Sequence, residues 1–201
     1  MDVKIGVIGT GAMGSAFARH AANAGYEVIL SNSRGPESLS AMVNELGGET
    51  RAGSVRESAL ADVIFLAVPW KFLPEAVSVI TSWKNRIVID PSNPIIMPGY
   101  QTADLGGKLS SEIVASLLPG ARLVKAFNAL PAAALEADPR EAGGRRVIFY
   151  SGDDTEAKNI VGDIIDKMGF AGIDLGGLTA GGRLQHYPDG PLTALNLIRL
   201  A

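Results

Sequence analysis

The chain opens on a short apolar run, Val3-Lys4-Ile5-Gly6-Val7-Ile8, which stops at Gly9 and reads as a buried strand. From Ala12 to Ala24 apolar residues recur at Met13, Ala16, Phe17, Ala21 and Ala24, a helical spacing that Gly25 closes. Glu27–Leu30 is a second strand, Pro36–Leu46 a second helix and Thr50–Gly53 a short third strand. Ser54 caps a helix to Leu60, with Glu57 three residues on completing a capping box. Asp62–Val68 is apolar without alternation, the pattern of a strand buried on both faces of a parallel sheet. Arg86–Ile89 and Arg122–Ala126 follow as strands, with a helix over Ser110–Leu118 between them. Val147–Tyr150, a helix over Asp154–Met168 and Ala171–Leu175 make a further β-α-β unit, and Pro191–Leu200 reads as a short closing helix. Strands and helices alternate from end to end. The pattern predicts one α/β domain over residues 1–201, a Rossmann-type, doubly wound, mostly parallel sheet of about eight strands with helices on both faces. Residues 1–126 form its core and 127–201 complete it.

Composition narrows the class. Lys and Arg number 18 against 21 Asp and Glu, a net charge of −3, so the chain lacks the basic footprint of a nucleic-acid binder. Apolar residues make up 47% and charged residues 19%, enough for a large core. There is no cysteine, which excludes disulfides, thiolate zinc sites and a thiol nucleophile. His20 and His186 are the only histidines, and no metal centre is expected. The longest apolar run, Val63–Trp70, falls far short of the ~20 residues of a membrane helix. The N-terminus has no signal-peptide pattern, so a cytoplasmic location without a membrane segment is expected.

Gly9-Thr10-Gly11-Ala12-Met13-Gly14 fits G-x-G-x-x-G between a strand and a helix, the context of a dinucleotide site. Gly9 serves the tight turn, Gly11 the approach of the pyrophosphate and Gly14 close packing of helix on strand. An NAD site places an acid about 20 residues further on, for the ribose 2′-hydroxyl. Here that stretch reads Leu30-Ser31-Asn32-Ser33-Arg34-Gly35, with no acid before Glu37. Ser33 and Arg34 offer a hydroxyl and a guanidinium, which suit a 2′-phosphate. NADP is the expected cofactor.

Val68, Pro69 and Trp70 follow the fourth strand, where the ligand crevice of such sheets opens; they wall the dinucleotide or pack helix on sheet. Asn93 lies in the Asp90–Pro94 turn after the fifth strand, a rigid turn or a nicotinamide-side loop. Ala126 and Asn128 end the sixth strand, and the Asn128 amide either orients a ring or carboxamide or caps a helix before Pro131. Lys125 reads as a strand residue with a snorkelling tip, His20 as structural, and His186 is open.

These segments together resemble the deazaflavin-dependent NADP oxidoreductase family, the NADPH:F-420 reductase-like proteins. The resemblance rests on the glycine loop, Ser33-Arg34, Val68-Pro69-Trp70, Lys125-Ala126-Phe127-Asn128, Gly190-Pro191-Leu192 and Leu195-Asn196. The NADPH domain of six-transmembrane metalloreductases is similar over the same motifs. The resemblance implies NADP contacts at Thr10, Ser33 and Arg34. It also implies an acceptor ring surrounded by Asn128, Ala129, Leu130 and Pro131 and by the stretch from Gly176 to Leu178, with Gly177 between them. Some deazaflavin reductases carry His where this chain has Asn128, whereas the Asn form resembles the metalloreductase domains, whose acceptor is a flavin.

The expected activity is hydride transfer between NADP(H) and a small-molecule redox acceptor, a deazaflavin of F-420 type or a flavin. Asn128 serves as an orienting group, and homodimerisation is left open. Two other readings stand beside it. One is a hydroxyacid or imino-acid dehydrogenase, which normally adds a large helical domain. The other is a non-catalytic NADPH-sensing module.

Overall fold

A computed structural model describes residues 3–200. Six strands run parallel: β1 (Lys4–Ile8), β2 (Glu27–Ser31), β3 (Thr50–Ala52), β4 (Val63–Leu66), β5 (Ile87–Asp90) and β8 (Arg122–Ala126). In space they lie in the order β3-β2-β1-β4-β5-β8, the doubly wound arrangement the sequence predicts. The reversal between β1 and β4 opens a crevice at their carboxyl ends. One face of the sheet is covered by α1 (Ala12–Asn23) and α7 (Thr155–Lys167), which bury Phe17, Ala21, Val161 and Ile164. The other carries α4 (Leu73–Ser78) and α5 (Ser110–Leu117), with Leu73, Val77 and Val114 packed on Ile64, Leu66 and Val88. Ser54 and Glu57 make the predicted capping box at the start of α3 (Val55–Ser58).

Four features depart from the sequence reading. The Pro36–Leu46 helix begins as a 3-10 turn over Pro36–Leu39 and becomes α2 only at Ser40–Leu46. The turn after β5 grows into a hairpin, β6 (Ile95–Ile96) and β7 (Gln101–Thr102), which the periodicity did not announce. β10 (Gly144–Gly152) pairs antiparallel with β8, and β11 (Ala171–Asp174) runs parallel to β10. The last β-α-β unit is therefore upside down relative to the first six strands.

The fourth departure follows from the length of β10. It pairs with β8 only through Tyr150–Gly152, so its first residues run past the end of β8 with backbone groups that need partners. β9 (Arg140–Glu141) takes one edge of that overhang and β12 (Ile198–Leu200) the other. The expected closing helix over Pro191–Leu200 is thus a turn followed by a strand. Sheet pairing outweighs the helical spacing, and Ala194 turns the chain at φ +60°. Among the described residues no helix is long and apolar enough to cross a membrane.

Candidate functional site

The glycine loop joins β1 to α1. Gly9 has φ +97°, and a Cβ there would stand 2.3 Å from the Ala67 carbonyl oxygen, so the turn after β1 admits glycine alone. A Cβ on Gly14 would stand 1.9 Å from the Gly9 carbonyl oxygen; this is where helix and loop touch. A Cβ on Gly11 would meet nothing within 4 Å. Gly11 is also the N-cap of α1, and no side chain caps it. The first N–H groups of the helix therefore face an open cradle, the arrangement that binds a pyrophosphate. Ala12 is exposed, while Met13 packs against the core.

The end of β2 lies beside this loop. Asn32 Nδ2 donates to Thr10 Oγ1 (3.3 Å) and to Ser38 Oγ (3.1 Å), and Asn32 Oδ1 accepts from the Arg34 backbone N–H (2.8 Å). The turn is thus built by Asn32 and displays Ser33 and Arg34 to solvent. Among the described residues the Arg34 guanidinium has no hydrogen bond or ion pair, so its five donors are free for a phosphate. These residues fit a 2′-phosphorylated dinucleotide. Ser31 does not join them: it is fully buried, and its hydroxyl donates to the Val7 carbonyl (3.1 Å). It shapes the strand end instead of presenting a group to a ligand.

Val68, Pro69 and Trp70 leave β4 next to the glycine loop. Val68 and Trp70 are half-buried against the second core cluster and Pro69 is exposed, so Trp70 packs helix on sheet and borders the crevice as well. Ala126 is fully buried in the main core, which withdraws its side chain from the expected cofactor contact.

Beyond β5 and β8 lies a buried polar cluster. Phe127, at φ +67° and wedged edge-on against Phe17 and Phe65, turns the chain sharply after β8. The next residue, Asn128, is 3% exposed. Its Nδ2 donates to Asn93 Oδ1 (3.2 Å) and to the Gln185 carbonyl (2.7 Å), while Asn93 Nδ2 donates back to the Asn128 carbonyl (2.9 Å). The Gln185 carbonyl can only accept, so the amide is fixed with nitrogen toward it and Oδ1 left without a partner. Lys125 is buried, not snorkelling: its Nζ pairs with Asp90 Oδ2 at 2.9 Å and donates to the Ser92 carbonyl. Gln185 donates to the Lys125 carbonyl (3.1 Å) and Ser151 Oγ (2.9 Å), tying α8 (Leu178–Leu184) to β8 and β10. Burial, then the charge of Lys125, hold His186 below its ordinary pKa of 6.5, against the opposing pull of Asp189.

Gln185 and the Asp90–Lys125 pair were missed by sequence reasoning. The pair had a signal: opposite charges inside two apolar strand runs must meet if both are buried. Gln185 had none, since its partners lie 34, 57 and 60 residues away.

The structure separates the expected acceptor residues. Ala129 and Leu130 are 6% exposed, Ala129 in a satellite cluster with Val147 and Phe149 and Leu130 in the main core. Pro131 alone of that loop reaches solvent. Gly177 and Leu178 lie away from it. Gly152 pairs with Val124 and donates to the Gly176 carbonyl (3.0 Å), so Gly176 is level with a residue inside β8, and the chain moves on toward the amino end. The cause is the reversed direction of β10 and β11. Leu178 packs into the second cluster, and its place opposite Asn128 is taken by Gln185.

The chain resembles several known proteins in sequence and fold. Residues 4–94 match the family described as NADP oxidoreductase, coenzyme F420-dependent. A solved structure of the hypothetical protein SMa0349 from Sinorhizobium meliloti is 44% identical over 98% of this chain and 96% of that one, with a TM-score of 0.92. A protein of Arthrobacter sp. FB24 assigned as an F420-dependent NADP-reductase is 26% identical over 88% of this chain and 86% of its own, with a TM-score of 0.74. The metalloreductase STEAP3 of Rattus norvegicus is 30% identical over 92% of this chain, which spans only 36% of that protein's length. The glycine loop and the Ser33-Arg34 turn both lie within residues 4–94, so the part of the chain that builds the dinucleotide site is the part that resembles the coenzyme F420-dependent NADP oxidoreductases.

Proposed function

We propose that the protein transfers hydride between NADP(H) and a planar ring acceptor of deazaflavin or flavin type. The observation that carries the reading is the free Arg34 guanidinium beside Ser33, at the strand end where an NAD site has an acid. The nicotinamide and the ring supply the hydride chemistry when bound. The chain's own part is to bind and orient. The N–H groups at the start of α1 and the open face of Gly11 hold the phosphates. Ser33 and Arg34 select the 2′-phosphate. Asn128, which cannot titrate, orients a ring or carboxamide and moves no proton; a ring acceptor exchanges its proton with water, so no side-chain acid is required. The Asp90–Lys125 pair, neutral as a unit, holds the ends of β5 and β8 in register beneath it.

The Arthrobacter protein, described as an F420-dependent NADP-reductase, supports the deazaflavin arm of this reading, and the STEAP metalloreductases support a reductive role. Arg34→Ala should weaken NADPH binding roughly tenfold or more and leave NADH nearly unchanged, because a charge-assisted bond contributes about 1.5–3 kcal/mol. Equal losses for both nucleotides, measured by calorimetry, would remove Arg34 from the 2′-phosphate site. NADPH oxidation against deazaflavin, FMN, FAD and ferric chelates then identifies the acceptor.

A further inference from the structure

Ten large apolar side chains are exposed among the described residues, and four of them stand together. Phe72 (50% exposed) ends the turn Trp70–Phe72 after β4. Ile96 (38%), Met97 (57%) and Tyr100 (69%) belong to the β6–β7 hairpin after β5, whose first strand packs against that turn. Both segments rise from the carboxyl ends of neighbouring strands, on the edge of the sheet that carries the glycine loop. The base of the hairpin is fixed: the Ala103 N–H donates to the Pro94 carbonyl (2.8 Å), and Asn93 is bonded to the Asn128 carbonyl. Among the described residues nothing else covers its tip.

We propose that Phe72, Ile96, Met97 and Tyr100 form the platform on which the planar ring of the hydride acceptor lies. The inference rests on the hydride-transfer reading above and gives that reaction its second binding surface. Exposed apolar clusters of this kind mark ligand or partner sites. Hydride transfer needs the reacting atoms within roughly 3–3.5 Å, so the acceptor must occupy the carboxyl edge near β4 and β5, where this cluster stands. Leu60, exposed on the approach to β4, lies at the opposite edge. Two aromatic rings and a thioether suit the face and edge of a flat π-system. Lys71 Nζ, 5.8 Å from the Phe72 ring centroid, puts a cation at the border of the patch, where the phosphate or carboxylate of a ring-bearing acceptor would find it. The segment from Gly177 to Leu178 points the other way and offers no competing wall.

The test is a titration of the whole chain, saturated with NADP+, with riboflavin 5′-phosphate and separately with its 5-deaza analogue, read by ligand fluorescence anisotropy. The double variant Met97→Ser/Tyr100→Ser and the single variant Phe72→Ser should each weaken ring binding about tenfold. NADPH affinity and the thermal midpoint should stay at the wild-type value, as should everything in a Leu60→Ser control. Wild-type ring affinity in both hairpin and turn variants overturns the platform. So does a wild-type dimer that these variants dissociate without change in ring affinity, since the patch would then join two copies of the chain. A wild-type protein that binds NADPH but neither ring overturns the acceptor reading itself, and the platform with it.

Discussion

Gly11 and Gly14 stand three residues apart in one motif and carry opposite constraints. At Gly11 the backbone is extended (φ −75°) and a side chain would point into open space. Gly11→Val should therefore fold, at a cost of about 1 kcal/mol for a poorer helix cap, while abolishing binding of NADPH and NADH alike. At Gly14 the first carbon of any side chain would lie 1.9 Å from the Gly9 carbonyl oxygen, so Gly14→Ala should lower stability by several times as much. Urea melts set beside nucleotide titrations separate the two; wild-type affinity in Gly11→Val would take the loop out of the phosphate site. This contrast is legible in the sequence because the motif fixes spacing and neighbours together. The Ser33-Arg34 turn is legible for the same reason. Gln185 is not, since hydrogen bonds across 34, 57 and 60 residues leave no local pattern, and the burial of Ala129 and Leu130 depends on a turn at Phe127 that no spacing announces.

Strand β5 ends in Asp90 and strand β8 nearly so in Lys125, and the parallel register sets the two side by side. Both side chains are at most 1% exposed, so each is the other's main compensation for leaving water. Lys125→Met should cost about 3–5 kcal/mol, because it strands a buried carboxylate. The double variant Lys125→Met/Asp90→Ala should recover much of that loss, although the Ser92 N–H then loses the Asp90 Oδ1 it donates to at 2.8 Å. Denaturant midpoints of the three variants test this, and strictly additive losses would mean that the pair is not a unit. At this scale the sequence shows the elements but not their directions. Val147–Tyr150, the following helix and Ala171–Leu175 read equally well either way up, because periodicity is blind to strand polarity. The reversal of β10 is decided by chain geometry beyond β8, and with it go the acceptor wall expected at Leu178 and the helix expected over Pro191–Leu200.

The whole molecule closes where α1, inside the dinucleotide half, meets α6 (Ala132–Glu136), in the C-terminal unit. His20 makes that join: its Nε2–H donates to the Leu135 carbonyl at 2.6 Å, and its ring stands edge-on to Phe170. Burial holds its pKa below the ordinary 6.5, outweighing the Leu135 carbonyl and the charge of Asp138, which raise it. A folded state that takes up protons less readily than the unfolded chain loses stability as pH falls. The contribution of His20 is complete above the ordinary histidine value and declines as the pH drops through it toward the lower folded value. His186, also depressed, acts in the same direction. Glu57, held below 4.5 by the Ser54 N–H and hydroxyl, adds its loss only in more acid solution. Unfolding free energy should therefore decrease between about pH 7.5 and 5.5. His20→Gln keeps a donor near Leu135 but has nothing to protonate, so its decrease over that interval should be smaller by the His20 share. Urea unfolding at a series of pH values decides it. Parallel wild-type and variant curves would mean that His20 takes up its proton without disturbing the α1–α6 join.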